Sequence, residues 1–385
     1  MTVEGRTHRP TRALRPRVAR LAFVIGHCGP GGTEQQAALL VKGLAERRIQ
    51  VDVFILEGGP QGQRFGGARV HSLGSFGRRR LSRALSLVLA TMRLARALRR
   101  GRYDCVHAVL ARAYVITPMV VRAFHVRSAV VAWRRNLGIH RTPDGAFARL
   151  EKWATRLTDV VVCNATSVEE YWRAECGPGR TVWRVVLNAL EPWRFGPAPV
   201  GEYCGSSPLL VNVASLRAVK GQEVLLDAVA MLGGGAVNVA VLGDGPSRPD
   251  LARLAEHLGV SLDLPGHVED TRSWLAGASL YVHPSHSEGS SNAIAEAMAQ
   301  GCAVVASDVG GSRELLGGAG VLFAAGDARK LADSLERLLA SPETRRHMGA
   351  AARERAEREL NVSTLVGRHI EIYEEARACV ASPAW

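Results

Sequence analysis

The chain has 385 residues, enough for about two domains, and 47% of them are hydrophobic, an ordinary globular fraction. No apolar run reaches the roughly 18–20 residues that span a bilayer. Seven scattered cysteines without a Cys-x-x-Cys speak against a disulfide framework or zinc site and fit a reducing cytoplasm. The net charge of +13 is carried almost wholly by arginine. With 5% aromatics and no recognisable binding motif, this charge does not indicate nucleic acid. It fits a solvated basic surface or attraction to an anionic membrane.

Residues 1–20 hold six arginines but lack the apolar core of a signal peptide, so 1–19 read as a basic tail. Residues 21–25 read as the first buried strand. A tight loop with Gly26, Gly29, Gly31 and Gly32 follows, then a helix over 34–47. Strands are expected at 51–56, 105–109, 129–133 and 160–163. A helix is expected over 81–99, with Leu85, Leu89 and Met92 on one stripe. Residues 191–207 contain three prolines and three glycines and read as a linker. A second series follows, with strands at 209–215, 237–242, 280–283 and 303–307. Its helices are at 220–232, 248–258, 292–300 and 328–340, and a helical tail runs over 342–378. Strands alternating with amphipathic helices predict an α/β chain of two Rossmann-like domains, 20–190 and 208–365, facing across a cleft. In such sheets ligands bind beyond the carboxyl ends of the strands, so the loops after strands are where function is expected.

The most informative loop lies in 283–298. Glu288 and Glu296 stand eight positions apart, with Gly289, Ser290, Ser291 and Asn292 between a strand and a helix start. Free backbone amides and the helix dipole there favour an anion, whereas carboxylates suit hydroxyl groups. Arg217 and Lys220, three apart after the 209–215 strand, can neutralise a diphosphate. The loop holding Gly31 and Gly32 lets the backbone approach a ligand, although taken alone it is better explained as a plain tight turn. The stretch 243–248 reads as a structural turn.

Together these stretches resemble the retaining glycosyltransferases of family 4, which have the GT-B fold. The paired-glutamate motif matches as Ser287-Glu288-Gly289 with Glu296-Ala297-Met298, followed by Gly310-Gly311-Ser312-Arg313-Glu314. The likeness extends to Ala214-Ser215-Leu216-Arg217 with Lys220-Gly221, to Gly243-Asp244-Gly245-Pro246, to Leu187-Asn188-Ala189-Leu190-Glu191 and to Gly31-Gly32-Thr33-Glu34. It implies that Arg217 and Lys220 hold the donor diphosphate, Glu296 the ribose hydroxyls and Glu288 the sugar hydroxyls. Gly289, Ser290, Ser291 and Asn292 would offer amides to sugar and phosphate. Gly31 and Gly32 would approach from the opposite domain, and Gly266 and Val268 would lie along the base. Residues 366–385 would form a C-terminal helix returning to the first domain.

Where many family members carry a histidine, this chain has Arg134 and Arg135, with His140 further on. The two arginines are candidates for the acceptor side. No Asp-x-Asp occurs, so transfer without a metal or other cofactor is expected, the nucleotide sugar being a substrate. The donor is expected to be UDP- or GDP-linked, and the acceptor lipid-linked or a saccharide. Arg78, Arg79, Arg80, Arg83, Arg93, Arg96, Arg99 and Arg100 flank the apolar stripe of the 81–99 helix. That helix either buries its stripe on the sheet or lies on an anionic inner membrane face. Two other readings share the fold: a nucleotide-sugar epimerase, and a catalytically silent nucleotide-sugar-binding protein.

Overall fold

A computed structural model describes residues 18–29, 31–58, 65–74, 80–135, 145–198 and 207–381. Most of the basic tail, Arg78, Arg79, His140, linker residues 199–206 and the side chains of 80–84 lie outside the described residues.

The first half forms a seven-stranded parallel sheet: β1 (Arg20–His27), β2 (Gln50–Glu57), β3 (Arg69–Ser72), β4 (Cys105–Val109), β5 (Ala129–Arg134), β6 (Val160–Cys163) and β7 (Val182–Val185). Its order is β3-β2-β1-β4-β5-β6-β7. Five helices connect it: α1 (Gly32–Glu46), α2 (Arg80–Gly101), α3 (Ala111–Ala123), α4 (Ala146–Arg156) and α5 (Thr166–Cys176). The second half repeats the plan with six strands: β8 (Leu209–Val213), β9 (Asn238–Leu242), β10 (Ser261–Gly266), β11 (Leu280–His283), β12 (Val304–Ser307) and β13 (Val321–Phe323), in the order β10-β9-β8-β11-β12-β13. Its helices are α6 (Gln222–Met231), α7 (Arg248–Leu258), α8 (Arg272–Gly277), α9 (Asn292–Ala299), α10 (Ser312–Leu316), α11 (Ala328–Leu339) and α12 (Pro342–Glu359). A last helix, α13 (Val362–Ala381), places Leu365, Val366, Ile372, Tyr373 and Ala376 in the core of the first sheet.

Helices on both faces bury the central strands on both sides, which is why they read as unbroken apolar runs. Leu21 to Ile25 are all fully buried. In each sheet the strand order reverses next to its first strand: β1 lies beside β4, and β8 beside β11. A crevice opens at such a switch point. The glycine loop follows β1, and the loops of Lys220 and Glu288 follow β8 and β11. The topology therefore directs all three toward ligand-binding positions.

Two expectations change. The stripe on α2 is not its buried face. Ala90, Leu94, Ala95 and Leu98 pack inward, while Leu85 (62% exposed), Val88, Leu89 and Met92 face outward. Arg134, expected on the acceptor side, is an internal tie. It is 2% exposed, ion-paired with Glu151 of α4, and donates to Thr155 Oγ1 at 2.7 Å. The Tyr114 and Trp172 rings lie 4.4 and 4.2 Å from its guanidinium. A buried arginine needs that carboxylate as counter-charge. Glu151→Ala is expected to destabilise the protein by about 3–5 kcal/mol in urea unfolding, the usual result of stranding one buried partner. A loss below about 1 kcal/mol, the range of exposed pairs, would contradict the tie.

Candidate active site

The chain after β8 turns through a short 3-10 helix, Ala218–Lys220, which leaves Arg217 exposed and Lys220 half-buried. Gly221 follows at φ +64°, pressed against the Pro284 carbonyl; a side chain there would collide with that backbone. This close approach brings the post-β8 loop onto the post-β11 loop, where Lys220 ion-pairs with Glu288 Oε1.

Glu288 Oε1 is the centre of a small network. His283 Nε2 lies 3.0 Å away and Ser285 Oγ donates at 3.1 Å. The other nitrogen of His283 meets the Tyr281 hydroxyl at 3.1 Å, fixing the ring from the core. Burial pushes the Glu288 carboxyl upward, but His283 and Lys220 outweigh it through hydrogen bonds and charge and hold it at about 2. It is therefore an acceptor of hydrogen bonds at neutral pH, with no proton to give. Glu296 differs. Burial raises its carboxyl, opposed by Arg194 Nη1 at 3.2 Å and the Thr271 hydroxyl at 3.0 Å.

Between the two glutamates, Ser291 caps α9 by accepting from the Ile294 amide at 3.3 Å. Gly289 O accepts from the Gly311 amide at 2.6 Å. The Ser290 hydroxyl is buried with no hydrogen-bond partner among the described residues. Gly266 ends β10 at φ +85°, its carbonyl accepting from the Gly243 amide at 2.7 Å. Val268 packs beside the neighbouring core, and its loop leads on to Thr271 against Glu296.

The first domain reaches this ensemble at several points. A side-chain carbon placed on Gly32 would lie 3.6 Å from Asn292 Nδ2, so the glycine loop faces the start of α9. Gly31 serves as the N-cap of α1, crowded by the buried Glu34 carboxylate. Arg135 stacks 4.7 Å from the Trp133 ring and donates to Asn188 Oδ1. Asn188 Nδ2 in turn donates to Asn292 Oδ1 at 2.8 Å. Burial lowers the Arg135 guanidinium to about 10, which still leaves it charged at neutral pH. The Glu314 carboxylate accepts the Thr166 amide at 2.9 and 3.0 Å, a favourable place for a negative charge at the amino end of α5.

The structure thus joins Lys220 to Glu288 and brings Gly32 close to Asn292, while Arg217 stays at the exposed rim. Sequence reasoning missed His283, Ser285, Arg194, Thr271 and Asn188. His283 carried a signal, standing at a strand's carboxyl end five residues before Glu288; Arg194 carried none, because its pairing with Glu296 spans 102 positions.

Two family profiles match the chain: one described as "Glycosyltransferase Family 4" over residues 30–194, the other as "Glycosyl transferases group 1" over 207–341. The chain is 28% identical over 335 residues to the lipopolysaccharide core biosynthesis glycosyltransferase LpsE of Rhizobium meliloti, covering 84% of this chain and 90% of that one. In fold it is similar to Anabaena HepE in complex with UDP, with a TM-score of 0.77, 19% identity, and coverage of 92% of this chain and 100% of that one. It is also similar to the lipopolysaccharide outer core galactosyltransferase WaaB in its apo form, with a TM-score of 0.75, 15% identity, and coverage of 92% and 99%.

A depressed carboxyl contributes stability that is full above its unfolded value of 4.5 and lost as pH falls toward about 2. Removing it with Glu288→Gln is expected to flatten the acid limb of the stability curve. From about pH 5 to about pH 3 wild type should lose about 1–2 kcal/mol more than the variant, read from urea midpoints. Parallel curves would mean that Glu288 is not held ionised.

Proposed function

We infer the reaction from one premise: this chain belongs to the group 1, family 4 glycosyltransferases. It moves a sugar from a nucleotide-sugar donor to a lipid-linked or saccharide acceptor, with retention of configuration and without a metal ion, in envelope polysaccharide or glycolipid synthesis. The observation that carries this reading is the meeting of two loops. The Gly31-Gly32 loop of one domain faces Asn292 at the start of α9, beside the Lys220–Glu288 pair of the other.

The donor diphosphate sits at the amino end of α9, where free amides and the helix dipole favour an anion. Lys220 and Arg217 offset its charge, including the charge that develops on the leaving diphosphate. Glu288, ionised and acceptor-only, takes sugar hydroxyls. Glu296 takes the ribose hydroxyls, exchanging its contacts with Arg194 and Thr271 for them. The unpartnered Ser290 hydroxyl supports a polar ligand at this place. Arg135 points its charge toward the same junction from the first domain. HepE was crystallised with UDP and with UDP-glucose, which makes uridine nucleotides the first donors to test. The likeness to a lipopolysaccharide core enzyme supports an envelope saccharide as acceptor.

Among the described residues no helix is long and apolar enough to cross a membrane. The outward stripe Leu85, Val88, Leu89 and Met92, with Arg93 and Arg96 also exposed on α2, supports reversible docking on an anionic bilayer surface.

Lys220→Ala is expected to lower transfer about 10²–10³-fold in protein that still unfolds cooperatively, the usual effect of removing one donor that stabilises a developing anion. Near-normal turnover in the folded variant would sink the assignment. For docking, flotation with anionic vesicles at low salt should exceed flotation with neutral ones, and Leu85→Glu with Met92→Glu should abolish the excess. Equal flotation with both vesicle types would count against it.

A further inference from the structure

A second basic concavity lies at the other end of the first sheet. The cleft follows the carboxyl ends of the strands, whereas this cavity, of about 800 Å³, is lined by residues just before β4 and β5 and by the ends of α2, α3 and α13. Arg99, Arg102, Arg127, Arg377 and His125 line it, with Asp104 as the one carboxylate among the described lining residues. That carboxylate is already engaged. Its Oδ2 accepts the Ala19 and Arg20 amides at 2.8 and 2.9 Å, and its Oδ1 lies 3.4 Å from Arg377 Nε. Arg99, Arg102 and Arg127 have no ion pair among the described residues.

The backbone adds a second observation. Arg102 and His125 are two of the four described non-glycine residues at positive φ, at +50° and +49°. Both stand just past a helix end, α2 and α3, where a left-handed residue closes the last turn, as the Val126 amide bonding back to the Val121 carbonyl at 2.9 Å shows for α3. These two helix ends place Arg102 and His125 at the lining of one cavity. Guanidinium groups from separate elements, converging on a concave surface with a single neutralised carboxylate, are matched by clustered phosphate oxygens, which accept their forked hydrogen bonds.

We propose that this cavity is a binding site for a phosphate-rich ligand, distinct from the donor cleft, with Arg99, Arg102 and Arg127 as its principal contacts. The ligand class is a pyrophosphate or clustered phosphomonoester, free in solution or exposed as a lipid headgroup. Because the site lies at the opposite end of the sheet, it does not depend on the transferase reading.

The test is calorimetric titration of the full chain with inorganic pyrophosphate, in a Lys220→Ala background that weakens binding in the cleft. One pyrophosphate should bind per chain. Arg99→Glu with Arg127→Glu, both exposed positions, should raise Kd about tenfold or more, the scale of one lost charge-assisted contact. Arg329→Glu with Arg346→Glu makes the same charge change on exposed positions of α11 and α12 and should leave Kd within about twofold. Thermal melts confirm that both double variants fold. Vesicles containing phosphatidic acid form the second arm. Pyrophosphate binding without vesicle binding assigns a soluble ligand; vesicle binding that depends on Arg99 and Arg127 assigns a headgroup. Equal weakening by both double variants, or no binding of either probe, overturns the proposal.

Discussion

A carboxylate stays ionised inside a cleft only when hydrogen bonds and a counter-charge offset its burial, because an uncompensated charge costs several kcal/mol. Glu288 meets that constraint with Lys220, His283 and Ser285 around one oxygen. Much of the local architecture follows from it. His283 is steadied through Tyr281, which is wholly buried, so the order passes outward from the core of β11. Gly221 allows the Lys220 turn to touch the next loop. Gly310, at φ +54°, does the same on the other side, where any side chain would collide with the Glu288 carbonyl. The glycines are spaced by the needs of one acid.

The contacts between the two halves at this place are mainly polar. Asn188 bridges Arg135 and Asn292, and Glu314 caps α5 across the junction. Hydrogen bonds of this kind specify an arrangement without the large apolar burial that would lock it, which suits a cleft that must admit and release substrates. Glu296 shows the same economy. Its contacts with Arg194 and Thr271, one an ion pair and one a hydrogen bond, satisfy a buried carboxyl through a single oxygen.

Much of this was legible in the sequence. Central strands such as β1, β4, β5 and β6 are buried on both faces and announce themselves as apolar runs. The strands at or beside the sheet edges, β3, β7, β10 and β13, are short or mix buried and exposed positions, so they escape notice. Glu288 and Glu296 were visible because strand, loop and helix start fix their spacing locally. Arg194, Asn188 and the Glu314 contact were not, since each depends on a partner about a hundred or more positions away. Arg134 was misread for a related reason. Paired arginines after a strand look alike, and only Glu151, Tyr114 and Trp172 decide that one of them turns inward. On α2 the larger residues suggested a buried stripe, but the sheet takes the smaller face of Ala90 and Ala95 with Leu94 and Leu98.

The return of α13 to the first sheet has a consequence for how the molecule is made. Tyr373 is fully buried there, its hydroxyl 2.6 Å from His107 Nδ1, and His369 accepts from the Trp133 indole at 2.9 Å. A ribosome therefore releases the opening half of the protein with a helix-shaped slot still uncovered. That slot leaves His107 and Trp133 without their α13 partners until this helix emerges. The sheet that is translated first is thus completed by a helix translated after the whole of the second sheet.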